Sequence, residues 1–282
     1  MKTIFETFKK SIYNPEFYRT AADTNLGDIL RYYTKAVFIL AIFATAMFSI
    51  ILVPQGVRFV KYTAPSLVRE YYPADLTVRI EKGEASTNVT EPYAIVGKGG
   101  TLEALKTTGL ENILVIDTTR DFNTRVFEDY KSVALLTKSE VVTRDSGGRI
   151  TIQELRGMPD ATIDQNTMLG LVEKVRTSLG VIVPVGIFAA LIILFFGYVI
   201  YLIPLFLFAL IPFFLAKLRK IPLTYGGAYK MSIYAVVPGL VLKTLLNISG
   251  FFFVPAYLSL LIFMLVIFTN MRKEEQSTLF NQ

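Results

Sequence analysis

The sequence contains long apolar runs with few or no charged residues, and these restrict the fold more than any other feature. One run, Val181 to Ala216, has 36 residues without a charge, and another, Ala36 to Val53, has 18. An α-helix rises ~1.5 Å per residue and the hydrocarbon core of a bilayer is about 30 Å thick, so the shorter run suffices for one crossing. The chain is therefore predicted to be an α-helical integral membrane protein.

The composition excludes most familiar enzyme chemistry. The chain has no cysteine and no histidine, so it can form no disulfide, no thiolate or imidazole metal site and no serine–histidine nucleophile. We expect no catalytic residue, no metal ion, no cofactor and no enzymatic activity. The formal net charge of +6 does not indicate nucleic-acid binding, because the basic excess lies in short segments beside the apolar runs, where membrane topology explains it.

Basic residues beside the apolar runs predict the orientation of the chain. Lys217, Arg219 and Lys220 directly follow the 36-residue run, and the positive-inside rule assigns such a cluster to the cytoplasm, together with the basic segment before the first run. The 36-residue run must then cross the membrane an odd number of times. The favoured path is one tilted helix, kinked near Pro204, whose end lies in the inner interface. A hairpin of two spans is the alternative.

Two further apolar runs, Met231–Leu246 and Phe251–Thr269, are separated only by residues 247–250, which have the composition of a tight turn. Arg272 and Lys273 follow the second run, so both termini are expected on the cytoplasmic side of a four-span protein.

The predicted organisation has eight segments. They are a cytoplasmic amphipathic segment (1–35), span one (36–53), an extracytoplasmic domain (54–178), span two (179–216), a basic cytoplasmic loop (217–230), span three (231–246), span four (251–269) and a cytoplasmic tail (270–282). Pro238 and Pro255 are expected to bend spans three and four.

Residues 54–178 have the balance of a soluble domain, with 16 basic and 17 acidic side chains. Alternating apolar and polar residues over Leu76–Glu81, followed by Lys82-Gly83, predict a strand and a hairpin whose partner runs through Ala85–Val89. Further strands are predicted over 113–116, 133–136, 141–143 and 149–155, a short helix over 101–106, and a helix from Met168 that leads into span two. The prediction is an α+β domain with one small, mainly antiparallel sheet.

The first helix is predicted to be amphipathic, with Ile4, Phe5, Phe8 and Ile12 on one face. Lysines 2, 9 and 10 surround this face, and Asn14-Pro15 ends it. Two placements fit the pattern equally well: the helix lies in the inner interface against anionic lipid, or it packs on the cytoplasmic ends of the spans.

Lys243 is the one Asp, Glu, Lys or Arg within the predicted spans, which makes it the candidate functional residue. It lies about one turn from the predicted bend at 247–250, so its side chain can also reach the outer interface without any functional role. A polar conduit is a weaker possibility, lined by Ser232, Thr244, Asn247 and Ser259.

Three motifs resemble known catalytic patterns and are interpreted as structural. Gly97–Thr101 departs from a phosphate-binding loop because Gly99, not Ser or Thr, follows Lys98. Asp117 ends an apolar run but has no second Asp two positions later, so a turn-capping role is favoured. A serine–lysine dyad could use any of several serines, and no pair is selected. These serines are Ser66, Ser86, Ser132, Ser139, Ser146 and Ser178.

Several short stretches resemble the bacterial family known as domain of unknown function 1189, which belongs to a superfamily with the Yip-type membrane proteins. The stretches are Tyr72-Pro73, Leu76–Gly83, Ser86-Thr87-Asn88, Glu91-Pro92-Tyr93, Leu223-Thr224-Tyr225, Ala228, Ser232-Ile233-Tyr234-Ala235 and Pro238. The resemblance covers nearly the whole chain and implies a protein of the bacterial plasma (inner) membrane with an extracytoplasmic insert. Some relatives look associated with maltodextrin utilisation, but the resemblance supplies no catalytic residue.

The leading hypothesis is a non-enzymatic binding, scaffold or accessory protein. Its partners would be the lipid bilayer and another membrane or extracytoplasmic protein, not nucleic acid, and the oligomeric state stays open. A permease accessory or small-solute conduit is the alternative, and an extracytoplasmic serine–lysine hydrolase is the least favoured.

Overall fold

The structure, a computed structural model, describes residues 2–145, 147–249 and 257–271. These residues form two compact units. The helical bundle comprises the described residues up to 53 and from 181 onward, and the inserted domain comprises residues 54–180. The chain is mostly helical and carries mixed β-structure in the inserted domain.

The described residues contain eleven α-helices. They are α1 (Lys2–Ile12), α2 (Pro15–Ala21), α3 (Leu26–Arg58), α4 (Ala64–Tyr71), α5 (Gly99–Thr107), α6 (Thr124–Asp129), α7 (Gln165–Ile200), α8 (Leu202–Phe208), α9 (Leu210–Leu218), α10 (Tyr225–Ile248) and α11 (Leu258–Asn270). A π-helical turn, Phe59–Thr63, joins α3 to α4.

Eight strands complete the described structure. They are β1 (Val78–Glu81), β2 (Glu84–Thr87), β3 (Tyr93–Val96), β4 (Asn112–Asp117), β5 (Ser132–Thr137), β6 (Glu140–Arg144), β7 (Ile150–Glu154) and β8 (Ala161–Ile163).

Three helical runs in the described residues are long and apolar enough to cross a membrane: Leu26–Tyr71, Gln165–Leu218 and Tyr225–Ile248. The helix α11 is also apolar but has 13 residues. The first run is longer than predicted, since helical structure continues past the expected end of span one at residue 53. Gly250, the first six residues of predicted span four with Pro255, and the tail from Arg272 lie outside the described residues.

The predicted single kink near Pro204 is replaced by two interruptions. Helix α7 ends at Ile200 and α8 ends at Phe208, so the breaks fall at Tyr201 and Ala209. Each break lies three residues before a proline, Pro204 or Pro212. Proline has no N–H for the carbonyl four residues earlier and its ring clashes with that carbonyl, so the distortion appears in the turn before the proline.

The helices of the bundle alternate in direction. Along α10, Thr244 meets Tyr198, whereas Tyr229 meets Leu202 and Tyr225 meets Phe206. Later residues of α7 and α8 therefore contact earlier residues of α10. The segments α7 and α8 thus run antiparallel to α10.

Two further helices of the bundle continue this alternation. Helix α3 runs antiparallel to α7, because Tyr33 contacts Tyr198 and the rings of Phe38 and Phe195 lie 5.5 Å apart. Helix α11 returns along α10, with Ser259 against Gly239.

The inserted domain contains two sheets, so the expectation of one sheet is wrong. Their strand orders are β2-β1-β8 and β3-β4-β5-β6-β7. Five of the six strand pairings are antiparallel, and β4 and β5 are parallel. The connection between these two parallel strands contains only a six-residue helix, α6. The sequence therefore has no long helical segment of the kind that usually indicates a parallel pair.

The hairpin of β1 and β2 is confirmed, with Ile80 opposite Ala85. Its turn residues Lys82 and Gly83 have φ values of 53° and 82°, the left-handed conformation that a tight hairpin turn needs. A Cβ atom on Gly83 would also lie 3.0 Å from the Cα of Arg156.

Candidate functional sites

The inserted domain holds a carboxylate cluster, formed by Glu91 and Asp117 with the side chains bonded to them. Asp117 is the last residue of β4 and is only 2% exposed. Among the described residues it is the one fully buried side chain that carries a charge. Thr119 donates its hydroxyl to Oδ1 at 2.5 Å, Tyr130 donates to Oδ2 at 2.7 Å, and Arg120 Nε lies 3.6 Å from Oδ2.

These contacts decide the protonation of the cluster. Burial raises the pKa of Asp117, but the hydrogen bonds from Thr119 and Tyr130 and the charge of Arg120 outweigh it, so the pKa lies below its usual value of 3.8. Burial and the bond to Asp117 raise the pKa of Tyr130 to about 12. Asp117 is thus ionised and hydrogen-bonded at neutral pH, which is the state of a structural acceptor and not of a general acid.

Glu91 joins two parts of the domain. Its Oε1 accepts hydrogen bonds from the hydroxyls of Thr87, at the end of β2, and Thr118, at 2.6 and 2.8 Å, and its Oε2 accepts one from the backbone N–H of Thr118. The cluster therefore fixes the loop after β4, residues 118–123, in which Thr119, Arg120 and Asp121 are exposed. This loop follows the carboxyl end of β4 in a parallel pair, a position where α/β proteins commonly bind ligands.

The other candidate motifs of the domain are also held by structural contacts. Lys98, from the glycine-rich segment, donates its ammonium to the carbonyl of Glu70 at 2.7 Å. Ser132 is buried and its hydroxyl has no hydrogen-bond partner among the described atoms, but its neighbour Lys131 is paired with Glu111 at 2.8 Å. The described serines and lysines thus do not identify a dyad.

The bundle contains a second polar group, which we call the hydroxyl network. Tyr33 donates to the carbonyl of Tyr198 at 2.6 Å, the Tyr198 hydroxyl lies 2.7 Å from Thr244 Oγ1, and the Tyr201 hydroxyl lies 3.2 Å from Ser259 Oγ. These contacts join α3, α7, α10 and α11 through uncharged groups. Tyr201 itself occupies the first break in the helical run.

The polar residues proposed for a conduit take part in internal contacts. Ser232 donates to the carbonyl of Ala228, and Thr244 donates to that of Leu240, both at 2.8 Å. Ser259 is 1% exposed, whereas Asn247 is exposed. Three of the four residues are therefore buried in helix packing, which does not support a pathway.

Lys243 is half-buried on α10, next to the buried Thr244. Within the described part of the chain it forms no ion pair. Its functional role stays a prediction.

One end of the bundle, which we call the stapled end, is joined by four hydrogen bonds from three polar side chains. The amide of Asn270, on α11, donates to the carbonyl of Ile12, and its carbonyl oxygen accepts the N–H of Asn14 at 2.7 Å. Lys230, near the start of α10, donates to the carbonyl of Ala22 at 3.2 Å. Arg219, just after α9, donates to the carbonyl of Met271.

Sequence reasoning missed the residues that organise these groups. Glu91 and Asn270 appeared as ordinary polar residues, and Tyr198 and Tyr201 as part of an apolar run. The available signal was their polarity: a hydroxyl or amide within an apolar segment must find a partner when it is buried.

Comparison with known proteins gave one match. A profile of the family described as Protein of unknown function (DUF1189) matches residues 5–271. No curated protein and no solved structure matches the chain.

Proposed function

The chain belongs to the DUF1189 family, and we propose its role from its own structure. It is a four-span, non-enzymatic membrane protein whose inserted domain binds another membrane or extracytoplasmic protein. The bacterial plasma membrane and the kinship with Yip-type proteins, expected from the sequence resemblance, are parts of this proposal.

The stapled end carries the topological part of the proposal. The N-terminal helices, the basic residues after α9, the start of α10 and the end of α11 all meet there. The alternating directions of α3, α7–α9, α10 and α11 support four crossings with this basic end in the cytoplasm and the inserted domain outside. They also support a single crossing for residues 179–216 over the two-span hairpin.

The carboxylate cluster supports a binding role over an enzymatic one. An ionised Asp117 with its oxygens already hydrogen-bonded has little capacity to transfer protons or to attack a substrate. What the cluster does provide is a rigid base for the exposed loop 118–123, and a pre-organised loop loses less entropy on binding. We assign the partner-binding surface to this loop.

The topology can be tested by single-cysteine labelling, because the parent chain has no cysteine and gives no background. We expect Glu103→Cys and Ser249→Cys to react with a membrane-impermeant maleimide in intact spheroplasts. We expect Lys10→Cys and Leu218→Cys to react only after permeabilisation. Labelling of position 103 only after permeabilisation would contradict the orientation, and labelling of position 218 from outside would favour the hairpin.

The binding role can be tested by site-specific photo-crosslinking in intact cells. A photoreactive residue in place of Arg120 should give a discrete protein adduct, and the same residue in place of Glu103, exposed on α5, should not. Adducts of equal yield from both positions would contradict the assignment to the loop. Ester, peptide or glycoside hydrolysis by the reconstituted chain that is lost in Asp117→Asn would contradict the non-enzymatic role.

A further inference from the structure

Helix α1 has an apolar side that the rest of the bundle does not cover. Ile4 and Phe8 pack against the bundle core, and Ser11 is completely buried. Phe5 and Ile12 lie on an adjacent side of the same helix and are 69% and 45% exposed. The apolar face of α1 is therefore only partly covered within the described protein.

Lys9 borders the uncovered side, and Lys10 lies on the opposite flank of the helix, because successive residues are about 100° apart. Lys9 and Lys10, in the last turn of α1, are exposed, and the ion pairs found among the described residues do not involve them. Residues 2–21 carry four basic and two acidic side chains. Just after α1 lies an open groove of about 550 Å³, lined by Tyr13, Asn14, Pro15, Glu16 and Arg19.

The stapled end fixes the position of this surface. Asn270 bonds both Ile12 and Asn14, so the junction of α1 and α2 is held against the C-terminal end of α11. The backbone N–H of Phe17 donates to Oδ1 of the N-cap residue Asn14 at 2.8 Å, and this bond sets the start of α2. The amphipathic helix is thereby held at one end of the apolar helices, which under the proposed topology is where the bilayer changes from hydrocarbon to headgroups.

We propose that α1 and the groove beside it form a binding surface for anionic phospholipid, in which Lys9 contacts the headgroup phosphate, Lys10 adds positive charge nearby, and Phe5 and Ile12 enter the acyl region. This inference rests on the membrane topology given above. Charge complementarity favours an acidic lipid, and the exposed Phe5 and Ile12 favour a lipid over a soluble polyanion, since they need an apolar environment beside the phosphate.

The chain has no tryptophan, so a single one can report on each lipid environment. The full-length variant Phe5→Trp would be reconstituted in vesicles that contain phosphatidylglycerol and phosphatidylcholine, with one or the other lipid brominated. Brominated chains quench tryptophan fluorescence on contact. We expect brominated phosphatidylglycerol to quench this tryptophan more strongly than its mole fraction in the vesicle predicts. The expected preference for phosphatidylglycerol over phosphatidylcholine at this position is about fivefold, the ratio that one lysine near an acidic surface provides.

Charge variants identify the source of the preference. In the Phe5→Trp background, Lys9→Gln with Lys10→Gln should reduce the preference to about one, and Lys9→Arg with Lys10→Arg should retain it. The matched control, Lys106→Gln with Lys174→Gln, removes the same charge from exposed positions elsewhere and should leave the preference unchanged.

A second probe separates this inference from the proposed topology. Phe188, on α7, is 64% exposed and is distant in sequence from Lys9 and Lys10. The variant Phe188→Trp should be quenched by both lipids without preference. Absence of quenching at position 188 would contradict the membrane span itself. Two results would overturn the phospholipid surface alone, provided that quenching at position 188 is normal. One is equal quenching by both lipids at position 5. The other is a preference for phosphatidylglycerol that survives Lys9→Gln with Lys10→Gln.

Discussion

The bundle and the inserted domain satisfy their buried polar groups in different ways. In the bundle, away from the stapled end where Lys230 and Arg219 donate, the contacts join neutral groups, such as the hydroxyls of Tyr198 and Thr244. In the inserted domain, the central group is the ionised carboxylate of Asp117, with Arg120 beside it. A buried charge is tolerable where water and several donors lie near, and it is expensive among apolar helices. This difference is the one expected under the proposed topology, in which the bundle faces lipid and the inserted domain faces water.

The largest effect is expected from Asp117→Ala in the inserted domain. The change leaves the hydroxyls of Thr119 and Tyr130 without their acceptor, and we expect a loss of about 3 kcal/mol in the free energy of unfolding at pH 7. Pulse proteolysis of the full-length protein in urea would measure it. Asp121→Ala, at an exposed position in the same loop, is the control and should be nearly neutral; equal stability of the two variants would contradict a structural carboxylate.

The same residue predicts the sign of a pH dependence. Folding lowers the pKa of Asp117, so the ionised carboxyl group stabilises the folded state. This contribution to the free energy of unfolding is complete above the usual carboxyl pKa of 3.8 and is lost as the pH falls below it. The stability difference between the parent and Asp117→Ala should therefore narrow in acid. A difference that widened as the pH fell would show that the carboxyl group is bound in its protonated form.

The second largest effect is expected from Gly239→Ala in the bundle. A Cβ atom at Gly239 would lie 2.8 Å from the carbonyl oxygen of Ser259, so α10 and α11 must separate. We expect a loss of about 2 kcal/mol, measured by denaturation in detergent micelles. Gly226→Ala, in the first turn of the same helix, meets no atom within 4 Å and should be neutral or slightly stabilising. Similar results for both glycines would contradict the close packing.

A smaller effect is expected from Tyr198→Phe, which removes one hydroxyl of the network. Hydrogen bonds between membrane helices contribute about 0.6 kcal/mol on average, so a double-mutant cycle with Thr244→Val should give a coupling energy of that size. Tyr257→Phe, where the tyrosine is 62% exposed, provides the control. A coupling energy of zero would mean that the two hydroxyls are not bonded in the membrane.

The smallest effect is expected from Lys243→Ala. The described hydroxyls around it are engaged in helix packing, so we expect neither the parent nor the variant to raise ion or sugar flux above that of empty liposomes. Flux through the parent that disappears in Lys243→Ala would instead establish the conduit and give the bundle the functional role that we assign to the inserted domain.

Local patterns in the sequence predicted the local structure well. The alternation over Leu76–Glu81 and the Lys82-Gly83 turn identified the β1–β2 hairpin, and Asn14-Pro15 marked the end of α1. Prolines within the 36-residue run predicted its interruption, although the break occurs a turn before Pro204 and a second one precedes Pro212. In each case the determinants lie within a few residues of the structure that they specify.

Long-range pairing was not predictable in this way. The parallel register of Leu114 with Ala134 and the separation into two sheets depend on how strands distant in sequence meet. Strand β3 was missed because its four residues, Tyr93–Val96, are all apolar and show no alternation, and β8 because it has only three residues. The partners of Tyr198, Glu91 and Asn270 likewise follow from tertiary packing, and a single sequence shows only that such groups need partners.

The bond between Asn270 and Asn14 spans 256 residues, and this separation has a consequence for biosynthesis. The ribosome makes α1 and α2 first, yet their attachment to the bundle waits until Asn270 has been translated and inserted. Until then the junction of α1 and α2 lacks both of its hydrogen bonds to Asn270. The complete attachment of α1 and α2 therefore requires the last described helix.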